Sequence, residues 1–145
     1  MLFAGPRDCN LLMGASIDTS DAEKAFAQSA KVFLDAFPSI QIVASTSRIV
    51  RSSDSNDLTG MIATRDDHAQ SQAFQLDGIV DRIGGGDAFA GGVLHKIAED
   101  APLEVIISFG TASSAIKHSI PGDFNRTSIQ EVESIAQSSG LDVQR

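Results

Sequence analysis

The sequence predicts a layered α/β domain, and three observations carry that prediction. The run Ile40-Gln41-Ile42-Val43-Ala44 is β-branched and almost continuously apolar, as a strand buried on both faces must be. Elsewhere, apolar residues recur at three- and four-residue spacing, the pattern of helices with one buried face. The two patterns alternate along the chain, which a mixed sheet with packed helices explains. A length of 145 residues suits one domain spanning 1–145, and there is neither an internal repeat nor a linker long enough to divide it.

Met1-Leu2-Phe3-Ala4 reads as a short first strand, broken by Gly5-Pro6-Arg7. Asp8 caps a short helix reaching Met13. Thr19-Ser20-Asp21 precedes a helix over residues 22–37 with Ala22, Ala25, Phe26, Ala30, Phe33, Leu34 and Phe37 on one face, ended by Pro38. The strand 40–44 follows, with Ser45-Thr46-Ser47-Arg48 expected just beyond its C-terminal end, where open α/β sheets collect ligands. Residues 52–57 read as a polar loop. Residues 59–64 and 72–76 read as two strands of a hairpin joined by the polar segment 65–71. Gly78-Ile79-Val80 reads as a short strand end. Helices are expected over 87–99 and, from Pro102, over 102–118. Ser128 with Glu131 forms a capping box for a last helix to about Gln137, closed by Gly140.

The segment Asp81-Arg82-Ile83-Gly84-Gly85-Gly86-Asp87-Ala88-Phe89 carries the chemistry. Glycines let a backbone turn sharply and bring its N–H groups close to a bound group. A helix that starts there aims its free N–H groups and positive dipole end at the same point. Such a place suits an anion, most simply a phosphate. A carboxylate beside a phosphate is repulsive unless it has a task, and one task is to accept a proton from an attacking hydroxyl. The competing reading is a tight turn with Asp87 as an ordinary helix cap. The dinucleotide fingerprint does not fit, because Phe89 stands where a third glycine belongs. A P-loop does not fit either, since no Lys-Ser/Thr pair follows the glycines.

Composition narrows the partners. A net charge of −8 disfavours nucleic acid and anionic membranes, and no apolar run reaches the roughly 20 residues of a membrane span. One cysteine, Cys9, forms no internal disulfide and reads as a buried small apolar residue. The expected compartment is the cytoplasm. His68 and His95 read as solvated side chains. No group of His, Cys and carboxylates has metal-ligand spacing, so no metal ligand is assigned.

The glycine turn resembles the signature of the ribokinase-like, or PfkB, carbohydrate kinases. Arg82 after Asp81 and the later run Ile116-Lys117-His118-Ser119-Ile120-Pro121-Gly122-Asp123-Phe124-Asn125 are similar to the 2-keto-3-deoxygluconate kinase branch. The resemblance implies the C-terminal portion of a three-layer α/β/α sandwich, the second half of such an enzyme. It implies ATP with Mg2+ and an acid-sugar substrate, phosphorylated to its 6-phosphate. Gly84, Gly85 and Gly86 then form the anion hole and Asp87 is the catalytic base. Asp123 and Arg82 are implied substrate contacts, the latter through a sugar carboxylate or a phosphate. From the residues alone, Arg82 equally suits a salt bridge with Asp81, Lys117 a solvated site and His118 a helix C-terminal cap. Ser45, Thr46, Arg48 and Thr111 fall where the family holds the nucleotide, with Thr111 replacing a common Asn near the adenine. The N-terminal part, with most of the sugar pocket, has no counterpart in this sequence. The expectation is therefore nucleotide binding with weak or no kinase activity by the chain alone. Two alternatives remain at this point: another sugar or nucleoside kinase of the family, and a non-catalytic module that docks on a partner or self-associates.

Overall fold

A computed structural model describes residues 1–138, so the expected helix stop at Gly140 lies outside the described residues. The chain runs β1 (Leu2–Phe3), α1 (Pro6–Met13), α2 (Ala22–Ala36), β2 (Val43–Val50), β3 (Ser55–Ala63), β4 (His68–Gln70), β5 (Phe74–Asp77), α3 (Gly85–Ala98), α4 (Leu103–Lys117) and α5 (Ile129–Gln137). β3 is the central strand. β2 pairs antiparallel along one edge of it, with Ala44 opposite Ile62 and Thr46 opposite Gly60. β4 and β5 share its other edge, β4 against Met61–Ala63 and β5 against Ser55–Leu58. β1 joins β2 in parallel, the pairing that a helical crossover such as α1 and α2 makes possible.

Strand alternation sends successive side chains to opposite faces and so builds three layers. Val43, Met61 and Ala63 pack with Phe26, Ala30, Phe33 and Leu34 of α2 and with Cys9 of α1. Ala44 and Ile62 face the other way, onto Phe89 and Val93 of α3 and Ile106 and Ile107 of α4. A third cluster joins Leu58, Phe74 and Leu76 to Phe109, Ala112 and Ala115 of α4 and Val132 of α5. Cys9 is buried and its thiol is pushed up by that burial, as a small core residue would be. α3 and α4 cross closely at two small residues: a Cβ on Gly92 would lie 3.0 Å from the Gly110 Cα.

Several boundaries differ from the sequence expectation. Asp8 does not cap α1 but sits in its first turn, where its carboxylate accepts from the Gly5 N–H (2.8 Å) and Pro6 supplies the first helical residue. β2 does not stop at Ala44. It continues to Val50, because every residue from Val43 onward finds a partner on β3 and Thr46, Ile49 and Val50 suit extended backbone. β3 correspondingly begins at Ser55, within the segment expected to be a loop. Its first hairpin partner is His68–Gln70, inside the expected connection. Gly78-Ile79-Val80 is not a strand: Gly78 has a left-handed φ of 66° and ends β5. The capping box of α5 forms as expected, with Glu131 N–H donating to the Ser128 hydroxyl (3.3 Å) and Ser128 N–H to the Glu131 carboxylate (2.7 Å).

Candidate active site

The glycine turn is where three loops meet. Gly84 caps α3 with a left-handed φ of 77°, a conformation that costs a residue with a Cβ roughly 1–2 kcal/mol. The first intrahelical bond runs from Ala88 N–H to Gly84 O (2.9 Å). The N–H groups of Gly86 and Asp87 precede it and have no acceptor within the helix. Asp87 is therefore the third residue of α3 and not its cap. Its side chain is exposed and, among the described residues, makes no hydrogen bond or ion pair. Gly86 is exposed too, and a Cβ on it would meet nothing within 4 Å. The turn thus presents bare N–H groups and a carboxylate to open space.

The neighbouring loops are laced to it by backbone bonds. Val80 N–H donates to His118 O (2.9 Å), which ties the approach to the turn onto the end of α4. Asp81 does not pair with Arg82. Its carboxylate accepts from Ile83 N–H (3.0 Å) and Gly122 N–H (2.9 Å), and these two bonds, with help from the Lys117 charge, hold its carboxyl below its ordinary value. Asp81 thereby clamps the Pro121-Gly122-Asp123 loop beside the turn, and Asp123 backs directly onto Gly84. Arg82 donates to Ser53 O (2.8 Å), and the Asn56 side-chain oxygen accepts from its other arm (2.8 Å). With two arms committed to the protein, Arg82 contributes charge at the site more than a free fork for a carboxylate.

His118 lies behind Gly85: a Cβ there would fall 2.9 Å from its Cε1. Its Nδ1 is bonded to Ser114 O (2.7 Å), and the ring is buried. Burial depresses its pKa, and the charges of Arg48, Arg82 and Lys117 depress it further. Charges carried on β2, the loop before α3, and α4 thus all act on His118. Lys117, for which the residues alone also suited a solvated site, is fully buried.

The structure separates the remaining predicted residues. Thr46 and Arg48 lie opposite Gly60 and Leu58, on the sheet face that carries α3 and α4. Ser45, one residue out of phase, faces α1, where a Cβ on Gly5 would sit 2.8 Å from its Oγ. The expectation of Ser45 as a nucleotide contact beside Thr46 took the segment for a loop; a strand cannot present both residues to one face. Thr111 is also removed from the surface. Its hydroxyl donates to Ile107 O (2.7 Å), and the side chain is fully buried against Gly60. His68 is exposed on β4, whereas His95 is half-buried beside Phe109. A cleft of about 470 Å³ between α2 and the β3–β4 edge, lined by Phe26, Leu34, Met61, Arg65 and His68, gathers none of the predicted site residues. Among the described residues no three His, Cys, Asp or Glu side chains cluster as metal ligands, and no helix is long and apolar enough to cross a membrane.

The pfkB family carbohydrate kinase model matches residues 20–128. The chain belongs to the pfkB family of carbohydrate kinases. A 2-dehydro-3-deoxygalactonokinase of Haloferax volcanii is 32% identical over 76 residues, 52% of this chain and 24% of that protein. The 2-dehydro-3-deoxygluconokinase of Thermotoga maritima superposes with a TM-score of 0.86 at 29% identity, over 94% of this chain and 41% of that one. A PfkB family carbohydrate kinase of Listeria grayi gives 0.80 at 31% identity, over 94% and 40%. The chain thus spans about two fifths of the length of these solved relatives, and its fold is the α/β fold of ribokinase-like kinases.

Proposed function

We propose that this chain carries the nucleotide-phosphate and proton-acceptor portion of an ATP-dependent sugar kinase. The observation that carries the reading is the turn Gly84–Asp87, with N–H groups unspent and an exposed carboxylate placed beside them. In-line phosphoryl transfer needs positioning and charge stabilisation more than covalent help. The γ-phosphoryl group of ATP would lie against the N–H groups of Gly86 and Asp87, which meet charge growing on its oxygens. Asp87 takes the proton from the attacking sugar hydroxyl as the new P–O bond forms and the bond to ADP breaks, and later returns it to water. Magnesium enters with the nucleotide as part of the substrate, held through phosphate oxygens and water. Arg48, on the sheet face that carries α3, is our choice for a contact to the phosphate chain. Thr46 shares that face, and Asp123 stands beside Gly84 for substrate.

The acceptor we infer is 2-keto-3-deoxygluconate, giving the 6-phosphate. Arg82 and the Ile120-Pro121-Gly122-Asp123-Phe124 loop support that choice, together with the relatives named for 2-dehydro-3-deoxy acid sugars. The Haloferax relative favours a second reading, the deoxygalactonate. The chain is expected to bind MgATP while transferring phosphate weakly. A coupled ADP-release assay, with the two acid sugars, ribose, fructose and inosine as acceptors, tests the choice. ADP release stimulated by an acid sugar and by none of the others is the expected result. Stimulation by ribose, fructose or inosine instead overturns the acid-sugar assignment.

A further inference from the structure

Two lysines of this chain are buried, and they are handled differently. Lys96 meets Glu99 and Glu133, each at 2.9 Å, and lies over the Phe109 ring. That is the ordinary arrangement for a buried cation. Lys117 has no such partner: among the described residues no carboxylate lies within ion-pair distance of it. Its Nζ donates to one backbone oxygen, Ile120 O (2.9 Å), although an ammonium carries three donors. The Asp81 carboxylate acts on it only from beyond ion-pair distance; a fully buried ammonium without a contacting carboxylate is costly, so its retention calls for a further counter-charge that arrives from outside.

The position of the side chain indicates where that charge would come from. A Cβ built on Gly84 would lie 3.1 Å from Lys117 Cε, so the lysine stem runs directly beneath the turn. The oxygen it holds belongs to Ile120, which leads into the loop that Asp81 clamps at Gly122. We propose that Lys117 is a positioning residue of the phosphate site: its ammonium pins the 120–123 loop against Gly84 and fixes positive charge behind the turn, with the bound phosphate as its counter-ion. The proposal rests on the reading of the glycine turn as a phosphate site. It also fits the surroundings of the lysine: Asp81 N–H donates to His118 O (3.3 Å), and the Lys117 charge acts on both of these residues beside the turn.

The test uses inorganic tripolyphosphate, which has no sugar or base, and follows the amide resonances of Gly85, Gly86 and Asp87 in the full chain. The unmodified chain should show saturable shifts at these amides. Lys117→Met, which keeps the stem and removes the charge, should weaken binding at least about tenfold, the scale of one partly shielded charge near a phosphate. Lys117→Arg should recover part of that loss, which a purely structural role would not produce. Should Lys117→Met fail to fold, the Cε resonance of Lys117 in the unmodified chain supplies the answer, since it should titrate together with the Gly86 amide. Equal affinity in Lys117→Met, or a Lys117 signal that stays still while Gly86 moves, overturns the proposal and leaves the phosphate site standing. Absence of any shift at the turn overturns the phosphate site itself, and this inference with it.

Discussion

Substitution of Gly86 by alanine separates stability from ligand binding at the turn. Gly86 lies in the first turn of α3, its φ is not in the left-handed region, and the space its Cβ would enter is empty. Helical Gly→Ala replacement at a compatible site stabilises by about 0.5–1 kcal/mol. For a chain of this size that corresponds to a melting temperature higher by roughly 1–4 °C. The same methyl group would stand where phosphate oxygens must approach the Gly86 and Asp87 N–H groups, so affinity for an ATP analogue should fall at least about tenfold even as stability rises. Gly84→Ala supplies the contrast. Its left-handed φ alone costs about 1–2 kcal/mol, and the new Cβ would press on the Asp123 backbone and on Lys117 Cε. Its melting temperature should fall by at least roughly 2–4 °C. Valine at Gly85 is the poorer probe, because it would collide with the His118 ring and mix folding with binding. Thermal melts and calorimetric titration with a non-hydrolysable ATP analogue and magnesium measure both quantities. A stabilised Gly86→Ala variant that binds the analogue as tightly as the unmodified chain would refute the reasoning, since the empty space at Gly86 would then have no ligand to serve.

Two further outcomes follow from the packing around the turn. The folded-state pKa of His118 lies below its ordinary value of 6.5, so as pH falls below about 6.5 the unfolded chain takes up a proton that the folded chain refuses. Stability should therefore decline over that range, with a slope that stays below the roughly 1.4 kcal/mol per pH unit of one whole proton, and hold steady above it; chemical denaturation of the chain and of His118→Gln across pH 5 to 8 (roughly the histidine range) checks this, and an identical slope in both removes His118 as the cause. Gly60→Ala should drive a methyl into the Thr111 hydroxyl and Ile107 Cδ1 (2.9 Å) and cost about 1–3 kcal/mol of stability; urea unfolding measures it, with partial recovery expected on adding Thr111→Ala and no cost at all counting against the packing described.

Much of the fold was legible because the helices announce themselves. The apolar stripe from Ala25 to Leu34, the stop at Pro38 and the Ser128–Glu131 box each act locally, and each stands where the sequence placed it. The strands were harder. Ser45-Thr46-Ser47-Arg48 looks like a polar loop, and only its pairing with β3 makes it strand, an interaction with residues 10 to 16 positions away. That single misreading also explains why Ser45 was grouped with Thr46 and Arg48 when alternation places it on the far face. The burial of Thr111 escapes the sequence for a related reason. Whether a residue on an apolar helix faces a ligand or a sheet depends on what lies opposite, here Gly60. The turn itself was legible because glycine spacing and a following helix are sequence-local features. The burial of Lys117 was not, since a lysine at a helix end ordinarily reaches solvent, and the only available signal was its adjacency to His118 in the second motif.

The measurement that bears most directly on the central claim is calorimetric titration of the chain with a non-hydrolysable ATP analogue and magnesium, run beside Asp87→Asn. The proposed phosphate site predicts saturable binding by the unmodified chain that survives in Asp87→Asn, because on that proposal the N–H groups hold the phosphate and the carboxylate serves proton transfer. No binding by the unmodified chain, or binding abolished by Asp87→Asn alone with the fold intact, would contradict it.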